Sequence, residues 1–212
     1  AAARVVRALC DYIPHYGVTK LAELAQAPKG TTSRVIALLE REALIDRKGR
    51  GDIDDVDWRQ LIIRWTQDYK LLRSNPNRML LEPRGIPGLV TKLRAIDPRK
   101  IEYAITGQMA RYPLDGMLVL SRLPAIYVRS IPDAAKRLEL EDVDAGANVL
   151  LLEPFDDVIM KRLRTTRDGL VYVGPSQAAA DLWTSPDRGP SNAQITMNYM
   201  SEFPNEWRRR PD

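Results

Sequence analysis

Residues 19–50 read TKLAELAQAPKGTTSRVIALLEREALIDRKGR, and the spacing of their apolar side chains decides how the start of the chain folds. Leu21, Leu24 and Ala25 recur at i, i+3 and i+4, the period of one buried helical stripe, with Thr19 placed to cap it. Pro28 and Gly30 then interrupt the helix, because proline lacks the N–H that would extend it and glycine tolerates positive φ. A second helix is expected from Thr31, Thr32 or Ser33, each able to cap it, with Val35, Ile36, Leu39 and Ala43 on its inner face. Arg34, Leu38 and Arg41 recur on another face. Residues 46–55 set Gly49 and Gly51 between short polar runs, which predicts a two-stranded hairpin carrying Arg47, Lys48 and Arg50. Upstream, Val5, Val6, Leu9 and Ile13 predict an earlier helix over residues 4–13.

Three helices followed by a small basic hairpin are the sequence shape of a winged helix-turn-helix, a module that commonly sets its last helix in the DNA major groove. On that reading a duplex would meet Lys29, the hydroxyls of Thr31, Thr32 and Ser33, and the face of Arg34 and Arg41. The wing cations Arg47, Lys48 and Arg50 would grip backbone phosphates. The same pattern also serves protein–protein modules. Residues 1–56 carry nine cations against eight acids, so any phosphate contacts must be local and few rather than driven by net charge.

The chain has 212 residues, 44% of them hydrophobic and 28% charged, with a net charge of +4, enough apolar material for two cores. No stretch approaches the roughly 18 apolar residues of a membrane span; residues 148–152 are far too few. The lone cysteine, Cys10, cannot form an internal disulfide and is expected as a small core residue in a reducing cytoplasm. Three segments are expected: 1–56 as the helix-turn-helix, 57–78 as a connector helix and linker, and 79–212 as a second domain. The connector carries Trp58, Leu61, Ile62, Trp65 and Tyr69 at helical spacing, a packing stripe, and ends in the turn-forming RSNPNR of residues 73–78.

Beyond residue 79 strands and helices alternate. Strands are expected over 101–105, 125–129, 148–152 and 169–173, and helices over 85–96, 132–138, 176–183 with Ser176 as its cap, and 191–203. The fold class is therefore mixed α/β or α+β, a winged helix-turn-helix followed by a mixed-sheet domain, and not a clean Rossmann ladder.

Catalytic parts lists come up short. One histidine, His15, leaves no Ser-His-Asp or Cys-His arrangement in the second domain, and no Walker A or dinucleotide glycine pattern occurs. The acid pairs Asp52/Asp54, Asp55/Asp57, Asp142/Asp144 and Asp156-Asp157 have the spacing of a magnesium site but sit where aspartate is ordinary turn chemistry. No catalytic residue, metal or cofactor is assigned. A nucleotidyltransferase-like enzyme using Asp156-Asp157 or Asp142/Asp144, and a ligand-sensing regulator with an effector in its second domain, remain as alternatives.

The ordered series WRQLIIRWTQDY (58–69), YAITG (103–107), IYV (126–128), NVLLLEPFD (148–156), DGL (168–170), SQAAADLW (176–183) and PDRG (186–189) resembles the AbiEi-type antitoxins of type IV toxin–antitoxin systems. The resemblance runs from about Thr19 to Arg208. It implies a bacterial, cytoplasmic, nucleoid-associated repressor whose winged helix binds double-stranded promoter repeats of its own operon, with a homodimer as one form. It also implies a second domain that counters a nucleotidyltransferase-like toxin without a required stable complex. By position, Thr32, Ser33, Arg34 and Arg41 match the recognition helix, and Arg47, Lys48 and Arg50 the wing. Thr106, Gly107, Asp181, Arg188 and Gly189 match recurrent positions of the second domain without assigned roles. Asp181 is expected to pair with Arg188 and pin a helix end.

Overall fold

The computed structural model describes residues 1–49, 51–97, 102–114, 121–186 and 188–211. Arg50 of the expected wing, Ile101 at the start of an expected strand, and Asp187 lie outside them. The fold is mixed α and β, and the chain divides into two compact units, residues 1–68 with 197–212, and residues 69–196. The division differs from the expected one at both ends. Helix α4 (Trp58–Asp68) belongs wholly to the first unit, and the last sixteen residues, 197–212, return to it.

In the first unit, α1 (Ala2–Asp11), α2 (Val18–Leu24) and α3 (Lys29–Arg41) precede an antiparallel hairpin of β1 (Ile45–Arg47) and β2 (Ile53–Val56). Val5, Leu9, Leu21, Ile36, Leu39, Ile53, Leu61 and Ile62 form its core, each at most 3% exposed. Two expected caps fall elsewhere. Extended Gly17 starts α2, leaving Thr19 inside its first turn. Pro28 starts α3 earlier than the hydroxyl residues would, which rotates Thr32 onto the buried face with Ile36 and Leu39. Ala43 lies past the helix end at φ 54 and is exposed rather than inward.

The segment joining α1 to α2 adds to the hairpin: His15 N–H donates to the Ile53 carbonyl at 2.9 Å and Ile53 N–H to that of Tyr16 at 3.1 Å. Residues around 208 close the C-terminal end of α1. The Arg208 guanidinium donates to the carbonyls of Cys10 (3.1 Å) and Tyr12 (2.8 Å), acceptors that a helix C-terminus leaves without intrahelical partners. Trp207, 1% exposed, donates its indole N–H to the Met200 carbonyl and meets the Trp58 ring edge-on at 5.0 Å. Cys10 is fully buried, and burial pushes its thiol pKa far up, which keeps it an inert core group.

The second unit is built on a six-stranded mixed sheet in the order β3-β6-β5-β4-β8-β7. Its strands are β3 (Asn77–Leu80), β4 (Tyr103–Thr106), β5 (Ala125–Val128), β6 (Val149–Leu152), β7 (Arg164–Thr165) and β8 (Val171–Tyr172). Every residue of β4, β5 and β6 is buried, which explains why they read as short apolar runs without alternation. The pairings β5–β6 and β4–β8 are parallel and the other three antiparallel. The unit also holds α5 (Leu71–Ser74), α6 (Gly85–Ala95), α7 (Ile131–Arg137, capped by Ser130), α8 (Pro175–Trp183) and the first residues of α9 (Gly189–Glu202), whose later residues belong with α10 (Pro204–Trp207) to the first unit. The residues read as a linker, 73–78, instead hold the end of α5 and the start of edge strand β3. Ser176 is not the cap residue: extended Gly174 takes that place, Pro175 opens the first turn, and Ser176 is buried within α8.

Gly189 opens α9 where a side chain cannot stand. An added Cβ would lie 2.3 Å from the Leu182 carbonyl oxygen and 3.1 Å from Ser185 Cβ. Gly189→Ala is expected to lower unfolding stability by about 2 kcal/mol, the scale of overpacking against backbone. Urea denaturation of both proteins checks it, and equal midpoints would show that the contact relaxes freely.

Candidate functional site

Two places bring the singled-out residues together. The first is the outer face of α3. Ser33, Arg34, Leu38 and Arg41 are exposed, Leu38 at 38%, and the helix begins at exposed Lys29 with no side chain capping its N-terminus. Arg34 and Arg41 each donate Nε to the carbonyl one turn back, Gly30 at 3.2 Å and Ala37 at 3.3 Å, which directs both stems along the helix surface. The acids on this helix are engaged from outside it. Glu40 faces Arg47 at 3.5 Å, and Glu42 accepts from Arg64 at 2.9 Å. Charge that looks balanced in the sequence is thus sorted in space, leaving the guanidinium groups of the outer face without a described carboxylate beside them.

Three expected contacts change. Thr32 is fully buried, and its hydroxyl donates to the Pro28 carbonyl at 3.1 Å, so it faces no solvent. Thr31 is only half-buried. Arg47 is directed inward, 14% exposed, with two bonds to the Gly51 carbonyl that brace the hairpin turn. Lys48, 78% exposed with Asp54 at 3.1 Å, is the hairpin cation that reaches solvent among the described residues.

The second place lies in the residue 69–196 unit and gathers four of the five positions left without a role, Thr106, Gly107, Asp181 and Arg188. Thr106 ends β4, and its hydroxyl donates to Asp181 Oδ2 at 2.5 Å. Asp181, fully buried on α8, also accepts from Tyr69 (2.6 Å), Tyr127 (3.2 Å) and Gln177 Nε2 (2.8 Å). The Tyr69 and Tyr127 oxygens are 2.9 Å apart, and Asn75 Nδ2 donates to Tyr69 at 3.1 Å. Each carboxylate oxygen therefore has two donors, which is what a buried charge requires. Burial raises the Asp181 pKa to about 6, and the four hydrogen bonds pull the other way. Burial and the Asp181 charge hold both tyrosines well above their ordinary value, so they stay protonated donors.

Asp181 therefore does not pair with Arg188. Besides Gln177 one turn back on α8, its partners come from β4, β5 and the residues after α4, all far away in sequence. Arg188 instead lines a cavity of about 550 Å³ with Gly107, Gln108, Ser121, Arg122 and Ser185. Gly107, at φ 64, turns the chain out of β4 directly after the network's Thr106. Ser185 Oγ donates to the Asp181 carbonyl at 2.8 Å, joining the other wall to the same residue. The rest of the lining is apolar and includes Leu71, Leu72, Met79, Ala125 and Leu150.

The acid pairs are engaged in ordinary ways. Asp142 meets Arg78 at 2.7 Å, Asp156 accepts from Val158 N–H at 2.9 Å, and Asp157 meets Arg129. No group of three or more His, Cys, Asp or Glu able to hold a metal occurs among the described residues. No described helix is long and apolar enough to cross a membrane. No family model, curated protein or solved structure matches the chain.

The raised Asp181 pKa gives a signed pH dependence. The folded state keeps the proton up to about pH 6, whereas the unfolded chain releases it near the ordinary aspartate value of about 4. Between those limits the folded state binds more protons, so the residue's contribution is full below about pH 4 and declines by roughly 2–3 kcal/mol as pH rises to about 6. Asp181→Asn removes that proton. The stability of wild type minus variant, from urea melts at several pH values, should fall across this window and level off above it. A difference constant with pH would refute the assignment.

Proposed function

We propose that the protein is a sequence-specific DNA-binding transcriptional repressor with an N-terminal winged helix-turn-helix, and that it is the antitoxin of a type IV toxin–antitoxin pair. The observation that carries the DNA reading is the outer face of α3. It offers Lys29, Ser33, Arg34, Leu38 and Arg41 together, while Glu40 and Glu42 are neutralised by Arg47 and Arg64. Arginine suits bidentate bonding to guanine O6 and N7, and an exposed leucine suits the thymine methyl. The first-turn N–H groups of α3, beside Lys29 and without a side-chain cap, suit a backbone phosphate, the role first expected of Thr32. Lys48 adds a second phosphate contact from the hairpin.

The antitoxin half of the reading rests on the ordered motifs of residues 103–189. They implicate a nucleotidyltransferase-like toxin countered in the bacterial cytoplasm without a lasting complex. The convergence of Thr106, Gly107, Asp181 and Arg188 around one network and one cavity wall supports treating those motifs as a unit.

A gel-shift titration on the promoter of the protein's own gene tests the proposal. Arg34→Ala and Arg41→Ala are each expected to weaken specific binding by about 1–3 kcal/mol, and Lys48→Ala to weaken all sequences alike and reduce the salt slope by about 1. Thr32→Val should leave affinity unchanged, since its hydroxyl is turned into the helix. Unaltered binding in both arginine variants would sink the reading.

A further inference from the structure

The cavity of the residue 69–196 unit has a chemistry that the DNA reading does not use. Its volume, about 550 Å³, is within the roughly 300–1,000 Å³ of small-molecule sites. Its described lining contains two arginines, Arg122 and Arg188, and no acid. Several other arginines of the unit face carboxylates: Arg78 meets Asp142 at 2.7 Å, Arg94 meets Asp168 at 2.5 Å, and Arg129 meets Glu102 at 2.6 Å. Arg122 and Arg188 are both exposed and have no ion-pair partner among the described residues. The Gln108 amide likewise has no side-chain hydrogen bond among them. Ser121 Oγ accepts from Leu123 N–H at 3.2 Å, leaving its own proton to donate.

The rest of the lining is apolar, and part of it is exposed at a cost. Met79 is 50% exposed and Leu72 37%, beside buried Leu71, Ala125 and Leu150. A ligand covering these side chains removes apolar surface from water, while guanidinium groups bind phosphate or carboxylate through charge-assisted, often bidentate, hydrogen bonds. Both walls are tied to the buried network, since Gly107 directly follows Thr106 and Ser185 Oγ donates to the Asp181 carbonyl.

We propose that this cavity binds a small amphipathic anion, a phosphate or carboxylate head held by Arg122 and Arg188 on an apolar body lying against Leu72, Met79 and Leu150. The site stands independently of DNA binding, because none of its residues is on α3 or the hairpin.

Calorimetric titration of the full chain with 1-naphthyl phosphate, 1-naphthoate, neutral 1-naphthol and inorganic phosphate tests it. At least one naphthyl anion should bind saturably and roughly tenfold or more tighter than naphthol or inorganic phosphate. Which anion binds better identifies the head group. Arg122→Ala and Arg188→Ala should each weaken that anion by roughly tenfold, and Arg188→Lys by less. Both positions are exposed, so unchanged circular dichroism melts will show that the variants are folded. Absence of saturable binding by either anion overturns the proposal, as does equal binding of naphthol or indifference to both arginine replacements. Gel shifts with the same variants separate the two readings, since the cavity variants should retain operator binding.

Discussion

The buried Asp181 carboxylate ties together four segments of the residue 69–196 unit. Asp181 has no exposed surface, and an ionised carboxylate in that position is tolerable only if every lone pair is answered. The answering donors arrive from four segments: Thr106 at the end of β4, Tyr127 in β5, Tyr69 ahead of α5, and Gln177 one turn earlier on α8. Their directions differ, so the carboxylate fixes where α8 lies on the sheet more sharply than apolar packing would. Alanine supplies much of the remaining α8 surface at Ala178, Ala179 and Ala180, all fully buried. Small side chains let the helix approach closely but specify little about its register. The carboxylate supplies what they lack.

The same arrangement explains why the cavity wall is firm. Gly107 follows Thr106 directly, and Ser185 holds the Asp181 carbonyl. The sharp turn at Gly107 needs positive φ, a conformation glycine adopts without the Cβ penalty. Gly189 serves a different need, close approach to the Leu182 carbonyl, and has no unusual φ. Two glycines of one motif series thus act for unrelated physical reasons. Sequence position alone does not separate them.

Much of the fold was legible because its signals are local. The helices at 2–11, 29–41, 58–68 and 85–95, and the strands at 103–106, 125–128 and 149–152, follow from apolar spacing within one or two turns. Helix starts differ from the expected Thr19, the hydroxyl run Thr31, Thr32 and Ser33, and Ser176 for one reason. A preceding glycine or proline took the boundary first, and a hydroxyl residue inside the first turn is then free to be buried. What was not legible is non-local. Nothing near residue 181 announces that its partners are at 69, 106 and 127, and Arg188 looked a natural partner because it is close in sequence. Nor does the basic tail at 208–210 announce that Arg208 caps α1, some two hundred residues upstream.

Charge shows most clearly what sequence counting leaves out. Nine cations against eight acids in residues 1–56 suggest a module with little field of its own. Burial and pairing then divide them unequally. Arg7 and Asp11 form an internal pair 3.3 Å apart, Arg47 braces the hairpin against Glu40, and Glu42 is taken by Arg64 from α4. The outer face of α3 is left with Lys29, Arg34 and Arg41. Exposed pairs such as Arg64–Glu42 add little stability, but they change which charges a partner meets, and over a Debye length of about 8–10 Å that local count matters more than the total. A nearly neutral module can therefore present a cationic helix, provided that its acids are held elsewhere by its own arginines.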